Sequence, residues 1–131
     1  MDVSGWGRKE IGTWGERVAA EYLKRKGFTI LDKNVARKTG ELDLVAKKGD
    51  VLHIVEVKSV VCENFPSPGS SHYSFDPADN LHAAKVRKVV RTGEWYVAQK
   101  AWESAWQVDG VVVWIRRRDG VARVRYLPHL V

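Results

Sequence analysis

The residues of this 131-residue chain most suited to doing chemistry are Asp43 and, thirteen positions later, Glu56, with Lys58 following after Val57. They sit in two short apolar runs, Glu41 to Ala46 and Val51 to Lys58, within the stretch GELDLVAKKGDVLHIVEVKS. Side chains alternate along a strand, so Glu56 and Lys58 emerge on one face roughly 6–7 Å apart. A turn at Lys47 to Asp50 folds the runs into a hairpin and sets Asp43 opposite the region around Val57, so that Asp43 and Glu56 converge. Two carboxylates at adjacent strand ends repel each other unless a cation lies between them. A hard divalent ion takes oxygen ligands from one or two carboxylates, keeps several waters, and leaves places for a phosphate oxygen and a nucleophilic water. Magnesium is the simplest choice, and the carbonyl of Val57 could serve as a further ligand. Lys58 stands where a cation can position or deprotonate the attacking water, or neutralise charge on the phosphate. Taken as a bare Glu-x-Lys, the same residues are also an ordinary solvent-exposed pair at a strand end.

The elements that must position these groups are readable along the chain. Apolar residues Ile11, Trp14, Val18, Ala19, Tyr22 and Leu23 recur at helical spacing and predict an amphipathic helix over Glu10 to Lys26, stopped by Gly27, with Arg17, Glu21 and Lys24 in water. A short strand over Phe28 to Leu31 and a polar loop over Asp32 to Thr39 follow. In the Glu41 to Ala46 strand, Leu42, Leu44 and Ala46 are expected on one side and Glu41, Asp43 and Val45 on the other. Cys62 to Pro77, with three prolines and several serines, reads as a mobile loop. Asp79 or Asn80 caps a second helix to about Lys100, burying Leu81, Ala84, Val89 and Tyr96. Strands over Val111 to Ile115 and Val121 to Leu127, turned at Arg118 to Gly120, complete an order α-β-β-β-α-β-β. This is an α/β or α+β sheet with helices packed on it, in a single domain over residues 1–131.

Composition narrows the partners. A formal charge of +6 and a pI near 9.6 favour polyanions. One cysteine, Cys62, cannot close an internal disulfide, and no Cys/His group has zinc-ligand spacing. No apolar run approaches the ~20 residues that cross a bilayer, and the N-terminal stretch lacks a signal-peptide core. A soluble, cytoplasmic protein is expected, with no membrane partner. Gly-rich phosphate loops and Ser/His/Asp arrangements are absent from the sequence. The four histidines have no partner at metal-ligand spacing and read as packing or surface residues. Of the six tryptophans, Trp95, Trp102, Trp106 and Trp114 read as core or interface, and Trp6 and Trp14 could cover a dimer contact.

Asp43 followed by Glu56-Val57-Lys58, across a hairpin and after an amphipathic helix, resembles the PD-(D/E)xK nuclease superfamily. More closely, GTWGERVAAEYLKRKGFTILDKN, GELDLVAKKGDVLHIVEVKS and the helix bearing Lys85 resemble the YraN-like family of predicted bacterial endonucleases, relatives of archaeal Holliday junction resolvases. The likeness covers roughly residues 10–115, and Leu42 stands where the superfamily has a proline. It implies a restriction-endonuclease-like fold, a mixed central β-sheet flanked by helices. It also implies a magnesium- or manganese-dependent endonuclease acting on branched or structured DNA. Asp43 and Glu56 would then be metal ligands and Lys58 the catalytic lysine. Glu16, at the edge of the first helix's apolar arc, would be an accessory ligand; the plain alternative is a helix-start acid favoured by the macrodipole. A twofold homodimer would suit cleavage of two symmetric strands.

Lys85 and Lys88 are three residues apart and share a face of the second helix, as a phosphate-contacting ridge would. Arg37 and Lys38, leading into the Asp43 strand, are further candidates for phosphate contact by position. A catalytically silent nucleic-acid-binding module with the same fold, or a protein-interaction domain, would use the basic charge without the chemistry.

Overall fold

A computed structural model describes residues 1–67 and 83–131 of the chain. Helix α1 spans Arg8–Arg25, strands β1, β2 and β3 span Thr29–Arg37, Gly40–Lys48 and Val51–Cys62, helix α2 spans Ala83–Gln99, and strands β4 and β5 span Trp106–Arg116 and Ala122–Leu127. The order among the described elements is the one expected from the sequence. The strands form one five-stranded sheet in the order β1-β2-β3-β4-β5. Antiparallel pairs join β1 to β2, β2 to β3 and β4 to β5, and β3 runs parallel to β4. The parallel pair follows from the α2 crossover between its two strands. A mixed sheet carrying two helices is compatible with a restriction-endonuclease-like α+β fold.

The helices divide the core in two. Ala19, Ala20 and Leu23 of α1 pack against Leu44, Ala46, Val55, Val111, Val113 and Ile115. Val89 and Tyr96 of α2 pack against Leu42, Val45, Leu52, Ile54 and Val108. Alternation along β3 produces the division: Val55 goes to the α1 side, Leu52 and Ile54 to the α2 side. A Cβ on Gly15 would lie 1.7 Å from Ser59 Oγ and 2.9 Å from Ser59 Cβ. Only glycine therefore lets α1 come this close to β3, and its neighbour in sequence is Glu16.

Several boundaries differ from the sequence expectation. The polar segment Asp32 to Arg37 is strand, pairing with β2 as far as Arg37 opposite Gly40. It reads as loop because β1 is an edge strand whose exposed side is free to be polar, and because the register shifts between Ile30 and Asp32. Asn34 moreover adopts φ 50°, inside the strand. Cys62 is still part of β3, so the loop expected from Cys62 begins one residue later; residues 68–77 lie outside the described residues, as do Asp79, Asn80 and Leu81. Ala84 is exposed, and the buried face of α2 is made by Val86, Val89, Thr92, Gly93 and Tyr96. The Lys47 to Asp50 turn is as expected and tight: Lys48 pairs with Val51, and Gly49 supplies the positive φ of 60°.

Leu42 and Leu44 do not share a face. Leu42 belongs to the α2 side and Leu44 to the α1 side, so the alternation breaks at Asp43. At that point the β2–β3 ladder ends, its last pair being Leu44 with Val55. Beyond it β2 continues with β1 to Gly40, while β3 continues with β4 to Cys62.

Candidate active site

A cleft of about 390 Å³ opens where β2 and β3 stop pairing, lined by Glu16, Gly40, Glu41, Asp43, Glu56, Val57, Lys85, Lys88 and Val89. Glu16 comes from α1, Glu41 and Asp43 from β2, Glu56 and Val57 from β3, and the lysines from α2. Asp43 and Glu56 are brought together, as the hairpin geometry requires. The backbone N–H of Val57 donates to Asp43 Oδ2 at 2.9 Å, which turns the aspartate into the gap between the strands.

Both carboxyls hold protons more tightly than ordinary acids. Burial pushes Glu56 up to about 8, and the Asp43 carboxylate adds to the rise. Burial pushes Asp43 up to about 6, the Val57 amide opposing and the Glu16 and Glu41 carboxylates reinforcing the rise. Lys85 acts on both in the opposite sense. Glu56 is only 4% exposed, and its Oε1 is buried without a hydrogen-bond partner. Buried polar atoms without partners are rare and costly. Here the orphan is a carboxylate oxygen beside a second carboxylate, which fits a hard cation. Among the described residues, no three His, Cys, Asp or Glu side chains gather closely enough to hold an ion unaided. Two carboxylates and a carbonyl suit an ion that retains waters.

Asn34, on β1, is a site residue that the sequence pattern does not announce. Its Nδ2 donates to Glu16 Oε1 at 2.9 Å and to Glu41 Oε1 at 3.2 Å, tying α1 and β2 together at the rim of the cleft. An asparagine before a Gly-Glu-x-Asp strand, able to take a left-handed backbone, is the available signal.

The remaining predicted residues divide. Lys85 and Lys88 line the carboxylate cleft, whereas Lys58 lines an adjoining cleft of about 600 Å³ that also includes Glu16, Val57 and Lys85. Arg37 and Lys38 line neither. The Arg37 guanidinium lies 4.2 Å from the Trp95 ring centre, and Lys38 is exposed beside Thr39, whose hydroxyl meets that of Thr92 at 2.8 Å. The stretch that carries them is not a loop but the end of strand β1 and its turn, where both side chains are exposed.

The sequence from residue 15 to 118 matches the model of a family described as "Uncharacterised protein family UPF0102". The chain belongs to the UPF0102 family. It is 38% identical over 121 residues to a UPF0102 protein of Syntrophotalea carbinolica, covering 92% of this chain and 90% of that one. A UPF0102 protein of Sulfurovum sp. is 33% identical over 106 residues, covering 80% and 84%. One from Clostridium tetani is 37% identical over 92 residues, covering 70% and 68%. The UPF0102 match spans all the cleft residues named above, in agreement with the YraN-like resemblance. Among the described residues, no helix is long and apolar enough to cross a membrane.

Proposed function

We propose that the chain is a DNA endonuclease that depends on magnesium or manganese and acts on branched or structured DNA. The observation that carries this is Glu56, a buried carboxylate with an unpartnered oxygen beside Asp43. Burial of two adjacent acids costs several kcal/mol unless a proton or cation is shared between them. Asp43, Glu56 and the Val57 carbonyl would hold the cation, with Glu16, outside any three-acid cluster among the described residues, an accessory ligand acting through a coordinated water. Such an ion, when bound, lowers the pKa of a coordinated water and neutralises charge on a phosphate oxygen.

The chain's own groups do the remaining work. The Val57 amide fixes the Asp43 carboxylate. Asn34 holds Glu16 at the rim. Lys85 and Lys88 bring positive charge from α2 to the cleft wall, where a phosphodiester needs it. Lys58 supplies an ammonium from the adjoining cleft.

That placement of Lys58 favours a second function, a protein that binds DNA without cutting it. The two are separated by incubating the protein with labelled four-way junction, flap, single-stranded and linear duplex DNA in magnesium, manganese and chelator. Cleavage of branched substrates with either metal, and none in chelator, is expected. Binding without cleavage in every condition makes the protein a binding module.

A further inference from the structure

We propose that a groove leading from the carboxylate cleft to Trp6 and Trp14 seats an unpaired segment of a DNA strand, with a base stacked on the tryptophans. Trp14 of α1 meets Trp6 edge to face, ring centres 6.1 Å apart and planes at 82°. The two border a cleft of about 410 Å³ with Lys9, Glu10, Thr13 and Arg17. Trp6 also borders the cleft of Arg8 and Lys58, which shares Glu16, Val57 and Lys85 with the carboxylate cleft. Shared wall residues thus set the cleft of the tryptophans beside that of Lys58, and the cleft of Lys58 beside that of Asp43 and Glu56.

Charge selects the occupant. Among the described residues, Arg8, Lys9 and Arg17 take part in no ion pair. Arg17 instead lies 5.8 Å from the Trp14 ring centre, and Glu10 accepts the Gly7 backbone N–H at 3.2 Å. An apolar protein surface docked here would desolvate the three cations without compensation. A second copy of this chain, itself carrying +6, would bring like charge to the contact. A single strand offers what the groove lacks: phosphates for the cations and flat base faces for the rings. Duplex DNA has its base faces already stacked, so the groove selects strands that are unpaired, as at a branch point.

The inference rests on the proposed endonuclease for the identity of the strand, but its test needs no cleavage. Affinities are measured in chelator for a short fluorescent single strand and for the same phosphate backbone without bases. Wild type is expected to prefer the base-bearing strand by roughly tenfold or more. Trp14→Leu and Trp6→Leu should remove that preference, while Trp14→Phe, which keeps a ring in the same packing, should retain most of it. Arg17→Ala should weaken both strands alike, with a shallower dependence on salt. Equal affinity of wild type for the two strands, or no affinity for either, overturns the proposal. So does Trp14→Leu, folded by circular dichroism, binding like wild type, or converting a dimer to monomer with DNA affinity unchanged. Base-dependent binding by a protein that cuts nothing leaves the groove standing and the endonuclease refuted; cutting with base-independent binding does the reverse.

Discussion

The Val57 amide donates to Asp43 Oδ2 at 2.9 Å, across the point where β2 and β3 part. The bond replaces the ladder hydrogen bond that Val57 N–H would otherwise give to the β2 backbone. It also explains why the alternation of β2 breaks between Leu42 and Leu44: the chain gives up the β2–β3 pairing beyond Leu44 and Val55 and gains a carboxylate aimed beside Glu56.

The metal-free protein should lose stability as pH rises. Glu56 and Asp43 bind protons more tightly folded, at about 8 and about 6, than unfolded, where ordinary values near 4 apply. The native state therefore holds protons that the unfolded state releases, and stability falls as pH climbs from about 4 through 8. A tenfold difference in proton affinity between the folded and unfolded chains is worth about 1.4 kcal/mol, so a loss of a few kcal/mol is expected. Denaturant titrations in chelator across that range check it. Glu56→Gln should flatten the curve, and added manganese should restore stability at high pH.

Lys85→Ala should move two affinities in opposite directions. Its ammonium holds both carboxyl pKa values down, so it competes electrostatically with any cation placed between them. The variant should bind manganese severalfold more tightly at low salt, as judged by calorimetry. Its DNA affinity should fall, with the log–log salt slope shallower by about one. Weaker manganese binding would place Lys85 elsewhere.

Gly15→Ala should destabilise the fold by about 1–3 kcal/mol, because the new methyl meets Ser59 Cβ at 2.9 Å. Ser59→Gly in the same chain removes the obstructing atoms and should recover much of the loss in thermal unfolding. No recovery would mean that the α1–β3 contact does not set the cost.

Asp109→Ala should cost about 3 kcal/mol or more. Its fully buried carboxylate accepts from His53 Nδ1 and the Tyr126 hydroxyl, each at 2.6 Å, from Gln107 Nε2 at 2.7 Å and from the His129 amide at 2.9 Å. Urea unfolding of wild type and variant measures the difference; a change under about 1 kcal/mol would mean that these four hydrogen bonds do not hold the fold together.

How much of this was legible in the sequence depended on how local the cause was. The α1 stripe, the Gly49 turn and the Asp43–Glu56 pairing follow from periodicity and one hairpin, and each is present. The second part of edge strand β1, beyond Leu31, was hidden because six of the strand's nine side chains are exposed and Asn34 breaks its regularity. The Leu42–Leu44 split was hidden because alternation assumes an unbroken ladder. Asp109 and His53 are far apart in sequence, with nothing local to announce that parallel pairing of β3 and β4 would bury one against the other. Arg37 reads in sequence as part of a loop; it is the last residue of β1, and its guanidinium lies against a ring from α2, Trp95.

The most direct test compares wild type with Asp43→Asn on labelled four-way junction, protein in excess, in manganese. The substitution keeps the side chain's size and removes the charge proposed to hold the ion, so cleavage should fall by orders of magnitude. Affinity for the junction in chelator should hold or improve, because a carboxylate no longer faces the phosphates. Cleavage by Asp43→Asn at the wild-type rate would contradict the assignment of Asp43 and Glu56 as the pair that holds the ion.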